Sequence, residues 1–369
     1  MNETLNINEQ KLFQLIKENP FVSQQELAEK MNLSRPSVAN LISGLVKKGY
    51  IKGKAYIVNE STHITCIGGA NVDRKYYVKG KLQLETSNPI RSTQSTGGVA
   101  RNVAENLGRL GLDVSLVTAH GQDAEWKYIE ETSASFMNLE HAIPLQEEAT
   151  GSYTAIINEN GDMVLALADM DIYDLLTPEL LQAHLSGFAN STCIIADLNL
   201  PGETITYLHQ LATQRNIPLI LITVSAPKMD RLPSDLNGIT WLITNRDETE
   251  AYFNKPIESE TDWKEAVQKW LDLGIEHVVI TNGTEGSMFG SGKEGIQHVP
   301  ALKVEHIEDV TGAGDAFSAA VIYSWLEGKS LVEIANAATV NAAKTIQTKY
   351  TVRQDLSAVQ LQKDMEELI

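Results

Sequence analysis

The chain has 369 residues, 43% hydrophobic and 21% charged, with 30 Lys/Arg against 48 Asp/Glu and a net charge of −18. That length holds a large core and predicts two domains. No apolar run reaches membrane-spanning length, which predicts a soluble protein with no membrane partner.

The charge is unevenly spread. Residues 1–60 carry eight basic and six acidic side chains, net +2, which leaves 22 basic and 42 acidic ones, net −20, for 61–369. A small basic module ahead of an acidic body follows, and only the leading segment suits nucleic acid. The start, Met1-Asn2-Glu3-Thr4, lacks the basic-then-apolar character of a signal peptide. Cys66 and Cys193 lie in apolar strand-like runs and read as buried thiols, so a cytoplasmic location is expected. The eight histidines are scattered, with no His-Glu-x-x-His and no Cys/His cluster, which argues against a structural zinc.

In chain order, Lys11–Lys17 places Leu12, Leu15 and Ile16 at helical spacing, and Pro20 stops that helix. Ser23-Gln24-Gln25-Glu26 is a helix entry with a Ser cap and an acidic first turn, and Leu27, Ala28 and Met31 give its buried face. A short turn leads into Arg35–Lys48, lined by Val38, Leu41, Ile42 and Leu45. Gly49–Ile51 and Lys54–Val58 then alternate like a hairpin around Gly53. Three helices and a hairpin make a winged helix-turn-helix over 1–60, and Val22 to Tyr56 resembles bacterial winged-helix regulators. Arg35, Ser37 and Asn40 are expected to face outward from the recognition helix and Lys52 and Lys54 to sit on the wing, a DNA-binding set. The alternative is a winged helix kept for dimerisation or docking. Because winged helices usually read paired half-sites, a homodimer is expected.

From His63 onward strand-like and helix-like segments alternate. His63–Gly69, Val114–Val117, Cys193–Ala196, Leu219–Thr223, Trp241–Thr244 and His277–Thr281 are apolar runs separated mostly by helical stretches, which predicts a doubly wound α/β sheet over 61–369. Two regions, about 76–95 and 151–167, break the alternation as hairpin strands. In a nucleotide-binding domain such an excursion often forms a lid.

Two glycine-containing stretches carry the chemistry. Gly97-Gly98-Val99-Ala100-Arg101-Asn102 opens a helix: the paired glycines admit close approach of a ligand to backbone, and Asn102 can bond a polyol. Asp309-Val310-Thr311-Gly312-Ala313-Gly314-Asp315 follows an apolar, strand-like run and leads into a helix from Ala316. Its turn aims N–H groups at one spot at a helix N-terminus, which favours an anion. An acid there suits phosphoryl transfer, accepting the proton of the attacking hydroxyl while backbone donors hold negative charge. Taken alone, the stretch also reads as a glycine-rich turn with Asp315 as a helix cap.

Together, Gly-Gly-x-x-x-Asn-x-Ala and Asp-x-Thr-Gly-Ala-Gly-Asp on an α/β pattern closely resemble the ribokinase-type (PfkB) carbohydrate and nucleoside kinases, over about residues 64–350. No Gly-x-x-x-x-Gly-Lys-Ser/Thr loop is present: Gly292-Lys293 is followed by Glu294. The resemblance implies a ribokinase-like sheet with a β lid, and ATP and magnesium as cofactors. Asn71, Asp73, Gly97, Gly98, Asn102 and Asn199 would form the sugar cradle. Asn245 and Glu248 would form the Asn-x-x-Glu element that holds magnesium through water. Thr281, Gly283 and Gly286 would contact nucleotide, Gly312, Ala313 and Gly314 would form the anion hole, and Asp315 would be the base. Asp169 is a candidate contact to base or ribose, or a solvated acid.

Ser87-Asn88-Pro89, Asp169–Ile172, Ala196–Asn199 and Val224-Ser225 resemble the pseudouridine kinase branch, which implies transfer of the ATP γ-phosphate to the 5′-hydroxyl of that nucleoside. Two departures stand out. Thr223 occupies a place where the family commonly has Asp. Lys349–Gln354 lacks the Asn-Asn-Pro-like segment of a monovalent-cation site, although Asp309 and Thr311 match its other half, so potassium activation is not carried over. The rival reading is a ligand-sensing transcriptional regulator with a kinase-fold receptor; a kinase for another nucleoside or a pentose is the nearer alternative.

Overall fold

The computed structural model describes residues 5–52, 63–184 and 191–368. The chain divides into two compact units, residues 1–62 with 214–216 and residues 63–213 with 217–369.

The smaller unit contains helices Ile7–Glu18, Gln24–Met31 and Arg35–Lys47. Each starts where a side chain meets orphaned N–H groups. Asn6 and Ser23 form capping boxes with Glu9 and Glu26, and Ser34 caps the third helix with Pro36 in its first turn. Leu12, Ile16, Leu27, Val38, Ile42 and Leu45 close one core, as the helical spacing predicts. Ile51 is buried in the same core, whereas Lys54–Val58, expected as the second strand of the wing, lies outside the described residues.

The larger unit is an eight-stranded sheet in the order Gly295–Val299, Ser287–Ser291, His277–Thr281, Trp241–Asn245, Leu219–Ile222, Cys193–Asp197, His63–Ile67, Asp113–Val117. The last six are parallel and the first two pair antiparallel as an edge hairpin. Successive strand residues feed opposite cores: Ile194, Ala196, Leu219 and Leu221 pack on one face, and Cys193, Ile195, Ile220 and Ile222 on the other. Both faces are covered by helices, which explains why these strands read as unbroken apolar runs. Cys66 and Cys193 are buried free thiols.

A second sheet orders its strands Ile90–Gly97, Asn71–Val78, Ser152–Ile157, Met163–Asp169. It begins earlier in sequence than the expected hairpin, so Asn71 and Asp73 lie within a strand, paired with Gly97 and Ser95. A second difference concerns residues 301–310, expected as a strand before Asp309, which form no strand. The edge strand ends at Val299, and Pro300 has no N–H to continue a ladder.

Candidate active site

The carboxyl ends of the parallel strands carry the site, where an open α/β sheet places its ligand crevice. At its centre is a residue to which the sequence alone assigns no role. Asp197 ends the Cys193–Asp197 strand, fully buried, and accepts the N–H groups of Gly69 (3.0 Å), Ala100 (2.9 Å) and Asn199 (2.9 Å). Three separate segments are thereby held on one carboxylate. Burial keeps that group above the ordinary carboxylate range, with the three N–H bonds opposing the shift. A Cβ on Gly68 would fall on the Asp197 side chain, and one on Gly98 would fall on the Gly69 carbonyl. Gly68 thus admits a carboxylate and Gly98 a neighbouring backbone. Tyr173 completes the clamp, donating to the Ala70 carbonyl at 2.5 Å and accepting the Ala70 N–H at 3.1 Å.

Around this clamp the expected cradle assembles. Asn71 donates to Asp73 Oδ1 at 2.6 Å, and the Asp73 carboxylate fills the space a Cβ on Gly97 would need. The buried Asn199 presents Nδ2 to Gly69, 2.8 Å from where a Cβ would stand. Asn102, one turn into the Val99–Arg109 helix, has both ends of its amide engaged. Its Oδ1 accepts Arg101 Nη1 at 2.7 Å, and its Nδ2 donates to Asp315 Oδ2 at 2.7 Å. Arg101 is held in turn by an ion pair with Glu105. Asn102 therefore meets the candidate base directly, a contact the expected polyol role does not contain.

Asp315 lies in the first turn of the Ala313–Leu326 helix. Burial raises its carboxyl to about 7, Asp197 and Asp73 push the same way, and the Asn102 bond and Arg101 oppose them. Asp73 is raised to about 6, again chiefly by burial. Gly312 is left-handed at φ 83°, and a Cβ there would overlap the Thr351 carbonyl. At Gly314 a Cβ would meet no protein atom within 4 Å, so packing does not require that glycine. The Ala313 N–H turns back to Val310 O at 3.3 Å, whereas the amides of Gly312, Gly314 and Asp315 have no acceptor among the described residues.

Beyond this lies the Asn245–Glu248 turn. Asn245 caps the Arg246–Phe253 helix and Glu248 closes a capping box with it. The buried Glu248 accepts Asn245 N–H at 2.9 Å and Thr244 Oγ1 at 3.1 Å, together with the Thr223 hydroxyl, all on Oε2. No bond among the described residues uses Oε1. Thr223 in the place of an acid thus gives Glu248 a donor where Asp would set two carboxylates together. Thr281 ends the neighbouring strand, paired with Asn245. Gly283 is left-handed (φ 51°) over open space, whereas Gly286 (φ 96°) is forced by the Val299–Ala301 backbone. Among the described residues no group of three or more His, Cys, Asp or Glu could hold a metal by itself.

The sequence as a whole agrees with this geometry: residues 61–357 match the model of the pfkB family carbohydrate kinases. The chain belongs to that family. Residues 5–52 of this pfkB kinase match a winged helix-turn-helix DNA-binding model. It is 32% identical over 340 residues to the uncharacterized sugar kinase YeiI of Escherichia coli, covering 92% of this chain and 93% of YeiI. To the pseudouridine kinase of the same organism it is 29% identical over 303 residues, 81% of this chain and 95% of that one. Among solved structures, a carbohydrate kinase from Agrobacterium tumefaciens superposes with a TM-score of 0.73 at 30% identity, over 84% of this chain and 98% of that one. Arabidopsis thaliana ribokinase, solved with ribose and ATP, shares the fold at a TM-score of 0.71 and 20% identity, over 83% of this chain and 99% of that one. The pfkB kinase is therefore a phosphotransferase acting on a sugar or nucleoside hydroxyl, in a family that uses ATP and typically magnesium. Its winged helix is of a DNA-binding type, and among the described residues no helix is long and apolar enough to cross a membrane.

Other expected positions fall further out. Asp169 is exposed at the end of the outermost strand of the four-stranded sheet, opposite Ser152, which pairs with Val72. Two strand spacings, about 10 Å, separate it from Val72. Lys75, which the sequence reading did not single out, sets its ammonium against the Asp309 carboxylate and 3.2 Å from Thr311 Oγ1. In the smaller unit Arg35, Asn40 and Lys52 are exposed, while Ser37 is half-buried and bonds the capping Ser34. Lys54 lies outside the described residues. Asp197, Tyr173 and Lys75 were missed because each joins the site through contacts distant in sequence. Asp197 could have been found beside the expected Asn199, from Asp-x-Asn at a strand end.

Proposed function

We propose that this chain is an ATP- and magnesium-dependent kinase for the 5′-hydroxyl of a nucleoside, with pseudouridine as the acceptor. The observation that carries the reading is Asp315: a carboxyl held near neutral proton affinity, oriented by Asn102, in a helix turn where the amides of Gly312, Gly314 and Asp315 have no acceptor among the described residues. The match to pseudouridine kinase over 81% of the chain supports the choice of acceptor, though fold likeness alone does not fix a substrate.

Asn71, Asp73 and Asn199 hold the ribose hydroxyls, and the four-stranded sheet closes over them to exclude water. The acceptor oxygen bonds to the γ-phosphorus as the bond from that phosphorus to the β–γ bridging oxygen breaks. The hydroxyl proton passes to Asp315, and the electron pair leaves on the β-phosphate oxygen. The amides of Gly312 and Gly314 hold the developing charge. Bound magnesium, held through water by Glu248 Oε1, would neutralise phosphate charge. Thr281 and Gly283 line the nucleotide side.

We further propose that the winged helix binds DNA through Arg35, Asn40 and Lys52, and that the chain is a homodimer. The strand Met163–Asp169 supports the second point, with Met163, Val164, Leu165 and Leu167 exposed along an unpaired sheet edge. The winged helix also favours a second reading, a regulator that uses the kinase fold to sense its ligand. A coupled ATP-turnover screen over pseudouridine, uridine, inosine, cytidine and ribose tests the first reading; turnover is expected to be highest with pseudouridine. No turnover with any acceptor, together with a nucleoside-dependent gel shift on upstream DNA, would leave the regulator.

A further inference from the structure

The strand Leu219–Ile222 lies between two others whose ends carry different halves of the site. On one side Ile222 pairs with Asp197, two residues before Asn199 of the sugar cradle. On the other it pairs with Ile243, just before Asn245 and Glu248. The segment after it, a 3-10 helix over Ala226–Arg231, therefore stands at the border between acceptor and polyphosphate, and it packs against the Arg246–Phe253 helix, whose first turn holds Glu248.

That segment brings two cations, and they are treated differently. Arg231 is consumed by the fold: it donates to the carbonyls of Asn199 (2.7 Å) and Leu200 (3.2 Å) and pairs with Asp174 at 2.9 Å. Lys228 is half-buried, forms no salt bridge among the described residues, and spends one of its three donors on Asn199 Oδ1. Asp197 and Asp174 favour its charge through space without forming an ion pair with it, so this partly desolvated ammonium keeps two donors for an anion that can touch it. The anion that crosses this border is the phosphoryl group in transit from donor to acceptor.

We propose that Lys228 is a catalytic residue that binds the transferring phosphoryl group, its ammonium passing from Asn199 to a non-bridging oxygen of the γ-phosphate. The proposal rests on the kinase reading above. It assigns the side of the phosphoryl group away from the 312–314 turn to a side-chain cation, as backbone donors cover the other. The hold on Asn199 in the absence of ligand also keeps that amide turned with Nδ2 toward the cradle.

The test is Lys228→Met and Lys228→Arg, with kcat, both KM values, and the affinities for ADP and for a non-hydrolysable ATP analogue with an imido β–γ bridge. Lys228→Met is expected to lower kcat by about 100- to 1,000-fold, the usual loss on removing one transition-state donor. The nucleoside KM and ADP affinity should change little, the preference for the triphosphate analogue over ADP should vanish, and Lys228→Arg should restore part of both. A kcat within threefold of wild type would overturn the assignment. So would a rise confined to the nucleoside KM, which marks a positioning role through Asn199, or an equal loss of diphosphate and triphosphate binding. If the wild type turns over no acceptor, the kinase reading fails separately, and the triphosphate preference still decides Lys228. Wild type binding neither nucleotide would defeat both.

Discussion

Asn102 and Asp315, 213 residues apart in the chain, are joined by a 2.7 Å hydrogen bond in which the amide donates to Oδ2. Arg101 fixes the direction of that bond by donating to the other end of the same amide. The Gly-Gly stretch and the Gly-Ala-Gly-Asp stretch, separate in sequence, are thus one device: the first orients the acid that the second carries. One Asp315 oxygen is held and the other is left for a substrate proton.

The proton affinity of that acid sets a pH profile. Only ionised Asp315 accepts a proton, and its carboxyl is raised to about 7 by burial and by the charges of Asp197 and Asp73. kcat/KM is expected to rise with pH through a midpoint near 7 and to level off about a unit above it. Asp73→Asn removes one of the repelling charges, so the acid limb should move to lower pH even as the nucleoside KM rises. A limb that stays in place would show that the two carboxylates do not couple.

The same shift bears on stability, with its sign set by linkage. The folded carboxyl is raised above its unfolded value, so the folded state binds more protons between about pH 4 and 7 and loses stability as pH rises through that window. Asp315→Asn removes this loss. The variant should melt higher than wild type at pH 8 and show little gain at pH 4, measured by calorimetry.

Gly312 and Gly314 separate structural need from ligand need. Gly312→Ala meets both a φ of 83° and the Thr351 carbonyl, so it should destabilise the fold as well as abolish turnover. Gly314→Ala meets no protein atom, and Ala favours a helix over Gly by roughly 0.5–1 kcal/mol. Its melting temperature should hold or rise, while turnover falls because the methyl enters space needed by the phosphates. Full activity in Gly314→Ala would place the polyphosphate elsewhere.

Most of the large unit was legible because parallel strands buried on both faces must be apolar throughout, as Leu219–Ile222 and Cys193–Ala196 are. The Ser23–Glu26 capping box was legible because both partners lie within three residues, whereas the boxes that Asn6 forms with Glu9 and Asn245 with Glu248 come from the structure. The edge hairpin Ser287–Val299 was not: Gly290, Gly292 and Gly295 interrupt any alternation, and only pairing to His277–Thr281 makes it a strand. Asp197 and Tyr173 carry no local sign of their role, since their partners at Gly69, Ala70 and Ala100 are supplied by the fold. The apolar residues Leu302, Val304 and Ile307 suggested a strand that no neighbour pairs with.

Lys75 gives a prediction about salt. Its ammonium already occupies Asp309 and Thr311, so wild-type turnover should be equal in potassium and tetramethylammonium chloride. Lys75→Met leaves Asp309 without its cation. Loss of a charged hydrogen bond of about 1.5–3 kcal/mol predicts a fall of roughly 10- to 100-fold, partly restored by potassium or ammonium ions. Strong potassium activation of the wild type would contradict this.

On the winged helix, Arg35→Ala and Lys52→Ala should weaken binding to upstream DNA across sequences. Each lost phosphate contact should reduce the slope of log affinity against log salt by about 0.9. Asn40→Ala should instead relax sequence preference with the slope unchanged. Gel shifts at several salt concentrations read both effects.

The most direct measurement is the rate of phosphoryl transfer to pseudouridine by Asp315→Asn, alongside its affinity for pseudouridine. The account predicts a loss of turnover of about 100- to 10,000-fold, the range for removing a general base, with affinity within a few-fold of wild type. Turnover near the wild-type rate would contradict it, because no carboxylate would then be needed at the mouth of the amide turn.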